Sequence, residues 1–191
     1  MGVPGSGKGT QAELIAKKYK YIHISTGDML RNLKTKKDLG KEDKKMLAKM
    51  KSGQLVPDKL IYKLVFTEIE NNLACGQGVA LDGAIRNVEQ AKRFQKFFDE
   101  KGLSDEVVVM DVNISDKTSL KRLINRKENA SQLQLREDDN LKIMKKRIKE
   151  QGNEATRPIL YFYKNVGVLK RVNGEKSIEE VYKDIIEILE K

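Results

Sequence analysis

Near the amino end the chain reads Gly2-Val3-Pro4-Gly5-Ser6-Gly7-Lys8-Gly9-Thr10, followed by apolar and polar positions at helical spacing (Gln11, Leu14, Ile15, Lys18). A glycine turn that opens a helix exposes several backbone N–H groups in one direction, and Gly2 to Lys8 fits G-x-x-x-x-G-K, in which those groups cradle phosphates while the lysine reaches the outer ones. The next residue departs from the general pattern. Gly9 stands where a Ser or Thr would ligate Mg²⁺, and Thr10 comes one position later. Such a loop constrains the fold strongly, because it works as the link between a strand of a parallel sheet and the helix that covers it.

The rest of the chain supplies elements of that kind. Strands are expected at Tyr21 to Ser25, Val79 to Gly83, Val107 to Val112 and Val168 to Val172. Between them lie helical patterns over about 28–35, 41–51, 59–73 with Asp58 placed to cap it, 87–101, 115–126, 137–152 and 159–165. Ser177 and Glu180 form a capping box for a last amphipathic helix. Strands alternating with helices imply an α/β fold with a parallel sheet covered on both faces, and ligands in such sheets sit outside the carboxyl ends of the strands. The 191 residues fit one domain, and the consecutive helices between the second strand and Val79 suggest an inserted helical arm.

Composition narrows the function classes. One cysteine, Cys75, and one histidine, His23, leave neither an intramolecular disulfide nor a Cys/His zinc cluster, so no structural zinc is expected. No run of about 18 apolar residues and no secretory leader are present, which predicts a cytoplasmic protein without a membrane partner. The formal charge of +10 would suit nucleic acid or a polyphosphate ligand, but no aromatic and basic stacking pattern points to nucleic acid. Only nine of the 38 basic residues are arginine. Arginine grips phosphate oxygens bidentately, so in a lysine-coated chain its positions mark the places to inspect. Arg122 and Arg126 share one helix face, and Arg147 would project from the next long helix. Asp82, ending a strand at the expected ligand edge, suits a carboxylate that organises Mg²⁺ through water, or else a simple strand-end cap. Asn87 and Gln90 read equally as a helix cap pair. His23 and Cys75 read as structural.

The glycine loop together with Lys8-Gly9-Thr10-Gln11 resembles that of the adenylate kinases, and further blocks follow in the same order: Ser25-Thr26-Gly27-Asp28-Met29-Leu30-Arg31, Gly53-Gln54-Leu55-Val56-Pro57-Asp58, Leu81-Asp82-Gly83 to Arg86 and Gln90, Arg122 and Arg126, Arg136-Glu137-Asp138-Asp139-Asn140, Arg147, and Val172-Asn173-Gly174. The resemblance implies a single nucleoside monophosphate kinase domain over 1–191 with a five-stranded parallel core, an AMP-binding arm at 25–56 and a short lid at 127–135. It implies reversible phosphoryl transfer from Mg²⁺·ATP to AMP giving two ADP, with no obligate protein partner. Lys8, Arg86, Arg126, Arg136 and Arg147 would be catalytic. Gly5, Ser6, Gly7, Lys8, Gly9, Thr10, Arg122, Arg126 and Lys176 would bind ATP. AMP would fall to Thr26, Arg31, Gln54, Leu55, Val56, Gly83, Ala84, Ile85, Arg86, Gln90, Arg136 and Arg147, and Asp82 would hold the metal through water. The alternatives are a UMP/CMP-type or broad-specificity kinase, to which Arg86-Asn87 is similar although Thr26 and Gln90 favour adenine, and a nucleotide- or nucleic-acid-binding relic of the fold.

Three departures carry expectations. Ala84-Ile85 stands where the family carries Phe-Pro, removing an aromatic from the AMP base. The lid is short, with Leu135 in place of a glycine, so the donor base should be loosely read and GTP tolerated. Only Met1 precedes the glycine loop, so the strands at Val79 and Val107 would lack a shared neighbour. The expectation is therefore a natural chain with a short apolar strand upstream of Met1, and a 191-residue form that folds poorly and is nearly inactive.

Overall fold

The structure, a computed structural model, describes residues 1–35, 56–129 and 140–191. The described elements are α1 (Lys8–Tyr19), β1 (Ile22–Ser25), α2 (Thr26–Thr35), α3 (Asp58–Ala74), β2 (Val79–Asp82), α4 (Val88–Glu100), β3 (Val109–Asn113), α5 (Asp116–Asn129), α6 (Leu141–Gln151), α7 (Asn153–Val166), β4 (Leu169–Asn173) and α8 (Ile178–Leu189). The helical pattern at 41–51, most of the arm and residues 130–135 of the lid fall outside the described residues.

The strands run parallel, as the alternation of elements requires, with helices packed against them. Among the described residues they form two ribbons and not the single five-stranded sheet expected. Among the described residues β1 pairs with β2, Ile22 opposite Val79, and β3 pairs with β4, Val109 opposite Leu169, as two separate ribbons. Met1 accounts for the arrangement at the middle. Its amino group donates to the Met110 carbonyl and its carbonyl accepts from Val112 N–H at 3.1 Å, the bonding of a parallel bridge to Asp111. Met1 thus extends the β3 ribbon by one residue, and β2 remains unjoined to it.

Each ribbon has its own core. On β1 and β2, helices α2, α3 and α4 bury Ile24, Leu30, Leu60, Val65, Ile69, Phe94 and Phe97, with Tyr62 and Phe66 packed alongside. Phe94 meets the Phe66 ring edge-on at 4.8 Å between centroids, and Phe66 stacks on Phe97 at 4.2 Å. The β3 and β4 ribbon carries a smaller cluster, Val112, Val172, Val181 and Ile185, closed by α8. Helix α4 is tied to α7 through Ala91, Ile159 and Tyr163.

Several sequence expectations shift at their ends, each for a local reason. Asp58 does not cap α3: it is the helix's first residue, after Pro57, and its carboxylate accepts from Asn87 and from Gln90 Nε2 instead. The strand expected from Val107 begins at Val109, because Val107 closes a 3₁₀ turn over Ser104–Glu106. Residues 127–129, expected in the lid, continue α5. Helix α6 begins at Leu141 and not near 137, since Asn140 is extended and its side chain caps Lys142 N–H. Helix α7 begins at Asn153, six residues before the expected start, with Asp116 accepting from Asn153 N–H and Pro158 inside it. The capping box of Ser177 and Glu180 on α8 is present as read.

Candidate active site

The glycine loop forms the entry to α1. Gly7 occupies the N-cap with φ +90, a conformation that a side chain would strain, and no side chain caps the helix. The first-turn N–H groups of α1 therefore point outward as donors at the positive end of the helix. Ser6 N–H closes the turn onto the Val3 carbonyl at 3.1 Å. From α5, the buried Ser119 hydroxyl donates to the Pro4 carbonyl at 2.6 Å, fixing the loop from behind. Gln11 anchors α1 to α8 by donating to the Ile178 carbonyl at 2.9 Å.

Asp82, at the carboxyl end of β2, faces this loop. A Cβ on Gly9 would lie 3.1 Å from Asp82 Oδ2, tighter than ordinary contact, so glycine at this position admits the carboxylate beside the helix start. Asp82 Oδ1 is buried and has no hydrogen-bond partner in the protein. An unpartnered buried carboxylate oxygen is costly unless a cation or ordered water meets it. The reading of Asp82 as a mere strand-end cap does not account for that oxygen.

The loop after β2 carries the arginine. Gly83 has φ +72, and Arg86 folds back over it, donating from Nε to the Gly83 carbonyl at 3.1 Å. Burial pushes the Arg86 guanidinium below its ordinary range, with Asp82 opposing the shift and Arg147 reinforcing it. Arg86, Asp82 and Arg147 therefore share one field although they come from β2, its following loop and α6. Lys8 belongs to the same field, since it and Arg86 both depress the Met1 amino group while Asp82 raises it. Lys8 also reaches the Val3 carbonyl at 3.4 Å.

Gln90 is 2% exposed and held at both ends: its side-chain oxygen accepts from Arg86 N–H and its Nε2 donates to Asp58 at 2.8 Å. Asn87 caps α4 by accepting from Gln90 N–H at 2.7 Å, so the cap pair is present. Thr26 is buried with an unpartnered hydroxyl. Ala84, Val56 and Ile85 belong to the apolar packing around β2. Arg31 is engaged by Asp28 at 2.5 Å, both partly exposed. Arg122 stands one helical turn before Arg126 on α5 and beside Glu175. Hydrogen bonds from Ser115 and Thr118, with a smaller contribution from Arg122, hold Glu175 below the usual carboxylate range. Lys176 is paired with Asp184 at 2.6 Å, which raises its pKa, and so faces α8. Thr10 is exposed. Gln54, Leu55 and Arg136 lie outside the described residues, as do Asp138 and Asp139. His23 sits within β1 opposite Ala80, and Cys75 is exposed at the end of α3.

Ser119 and the bracing role of Asp58 escape a reading of the sequence. A small hydroxyl one turn before Leu123, on the apolar side of α5, was the signal available for Ser119. Nothing local marks Asp58 as the holder of Gln90, 32 positions away.

Parallel strands with a glycine loop, a helix start aimed at a carboxylate, and converging cationic side chains define an α/β protein of the phosphate-loop class. Residues 1–168 match the family described as adenylate kinase. The chain is 35% identical to adenylate kinase isoenzyme 1 of Gallus gallus over 192 residues, covering 100% of this chain and 92% of the relative. It is 35% identical to an adenylate kinase of Staphylococcus epidermidis, covering 100% and 97%, and 37% identical to one of Parabacteroides distasonis, covering 95% and 90%. The chain belongs to the adenylate kinase family, and it is a nucleoside monophosphate kinase, a phosphotransferase. No described helix is long and apolar enough to cross a membrane.

Proposed function

We propose that the chain is one nucleoside monophosphate kinase domain catalysing the reversible, Mg²⁺-dependent transfer of a phosphoryl group from ATP to AMP, giving two ADP. The observation that carries this reading is Asp82, whose Oδ2 lies beside the start of α1 at Gly9 and whose buried Oδ1 has no partner. Phosphoryl transfer needs positioning and charge neutralisation more than covalent chemistry, and these residues supply both.

In this reading the N–H groups of Gly5 to Thr10 and the Lys8 ammonium bind the ATP phosphates, Arg122 lies against the donor base, and Arg126 against the transferring group. Arg86 and Arg31 hold the AMP phosphate. Thr26 and Gln90 meet the adenine, Gln90 while still bracing the Arg86 backbone. Arg147, with Arg136, completes the ring of positive charge. Val56, Ala84 and Ile85, none of them aromatic, wall the monophosphate site, and Gln54 and Leu55 bind AMP with them. Lys176 would have to leave Asp184 to reach ATP.

The metal fits the residues present. Among the described residues no group of three or more His, Cys, Asp or Glu side chains could hold an ion directly. Mg²⁺ keeps most of its waters and takes one or two carboxylates plus substrate phosphates, so Asp82 acting through water satisfies its needs. When bound with ATP, the ion neutralises and orients the phosphates. The cytoplasm, where ATP and AMP are abundant, is the compartment this reading assigns.

The test is a coupled assay offering AMP, CMP, UMP and GMP with Mg²⁺·ATP. AMP should be the best acceptor; turnover of CMP or UMP at least about tenfold faster would reassign the substrate.

A further inference from the structure

Two side-chain amides at the start of α4 are held by one carboxylate from another helix. Asp58, the first residue of α3, accepts from Gln90 Nε2 at 2.8 Å and from Asn87 Nδ2 at 3.3 Å. At their other ends the amides meet backbone donors: Gln90 Oε1 accepts from Arg86 N–H, and Asn87 Oδ1 accepts from Gln90 N–H at 2.7 Å. An amide has nearly the same shape either way round, so its partners decide which end is oxygen and which is nitrogen. Here they leave no choice, because a backbone N–H can only donate and an ionised carboxylate can only accept. Gln90 is 2% exposed, which keeps water from replacing either partner. Turning its amide over would set the NH₂ against Arg86 N–H and the oxygen against the Asp58 carboxylate, and both contacts would be repulsive.

We propose that Asp58 is a positioning residue for base selectivity: by locking the Gln90 amide in one orientation, it makes the monophosphate site favour a 6-amino purine over a 6-oxo purine. The inference rests on the reading of Gln90 as a residue that meets the acceptor base. A primary amide carries two N–H donors and two acceptor positions on its oxygen. Arg86 and Asp58 take one of each, so among the described residues one donor and one acceptor remain, in an order those two partners fix. Adenine presents an amino N–H beside a bare ring nitrogen, which the Gln90 oxygen and NH₂ meet in the orientation found. A 6-oxo purine presents a carbonyl beside a ring N–H and needs the amide reversed, at the expense of both repulsive contacts. A site whose buried polar groups are left mispaired by the wrong ligand discriminates strongly. Asp58 acts through Gln90, from 32 positions away in the chain, so part of the selectivity resides in how α3 meets α4.

The experiment measures kcat/KM for AMP and for inosine monophosphate (IMP), which differ only at this base edge, with Mg²⁺·ATP as donor. The unsubstituted protein is compared with Asp58→Ala and Gln90→Leu, each assayed below its melting transition. Losing the charge-assisted bond from Asp58 should lower the AMP-to-IMP ratio of kcat/KM by about 10-fold or more. IMP should turn over no worse than in the unsubstituted protein, whereas a merely structural role for Asp58 would depress both substrates together. Gln90→Leu should lower the ratio as well. Should Asp58→Ala fail to fold, Asp58→Ser keeps a hydroxyl that suits a helix start but ends one bond short of the Asp58 oxygens, and the same fall is expected. A ratio that stays within about threefold in the Asp58 variant while Gln90→Leu lowers it overturns the proposal and leaves the reading of Gln90 standing. A ratio untouched by Gln90→Leu overturns both.

Discussion

The two ribbons differ in how they are held. The one built on β1 and β2 is backed by three helices and an aromatic cluster in which Tyr62, Phe66, Phe94 and Phe97 interlock. The one built on β3 and β4 has four buried aliphatic side chains in its cluster and a ladder extended by Met1. Yet the site needs both. Asp82 and Arg86 come from the first ribbon, while the glycine loop is fixed by Ser119 of α5, which follows β3. The difference teaches that the Asp82 and Arg86 side of the site rests on a well-filled core, whereas the glycine loop leans on the less filled half.

The largest effect should come from breaking the filled core. Phe94 has no exposed surface, and Phe94→Ala should cost about 3–5 kcal/mol, read as a fall in denaturant midpoint.

A smaller effect should come from pH, and it belongs to the other half. The Met1 amino group is lowered from 8.0 to about 6, chiefly by burial, so between those values the unfolded chain binds more protons than the folded one. Stability should therefore rise as pH increases from about 6 to 8 and level off above, by up to about 2.7 kcal/mol at 1.36 kcal/mol per pKa unit. Melts of the 191-residue chain across that range check it, and blocking the amine by acetylation should flatten this step.

The smallest effect sharpens the comparison directly. Ile69 and Ile185 are both wholly buried, but Ile185 borders a cavity of about 480 Å³ between the two ribbons. A methyl beside a void has fewer contacts to lose. Ile69→Val should cost about 1–1.5 kcal/mol and Ile185→Val about 0.5 kcal/mol; equal costs in chemical denaturation would mean that the two halves are equally well packed.

What the sequence disclosed divides along the same line as what is local. The glycine loop, the Asn87 cap and the capping box at Ser177 are fixed by neighbours within a few positions, and each is present as read. The start of β3 is not legible, because an apolar run does not reveal the 3₁₀ turn that Val107 closes. Asp58 looked like a cap because its spacing suits one, and its partnership with Gln90 depends on how α3 meets α4. Nor is the bridge from Met1 to Asp111 legible, because it pairs residues 110 positions apart that no periodicity connects.

In the proposed function the guanidinium on the β2 loop, and not positive charge in general, holds a phosphate. Arg86 and Arg93 separate the two. Arg86 lies over Gly83 in the field of Asp82 and Arg147, whereas Arg93 covers the Phe66 ring at 5.1 Å and pairs with Glu100 at 3.5 Å. Lysine keeps the charge at either position and loses the bidentate fork. The deciding measurement is kcat/KM for AMP in the two variants beside their melting temperatures. Arg86→Lys should lower kcat/KM by about 10- to 150-fold, the loss of one charge-assisted contact of about 1.5–3 kcal/mol, with little change in Tm. Arg93→Lys should leave kcat/KM within about threefold and lower Tm slightly through the lost stacking. Equal and small effects on kcat/KM at both positions would contradict the account.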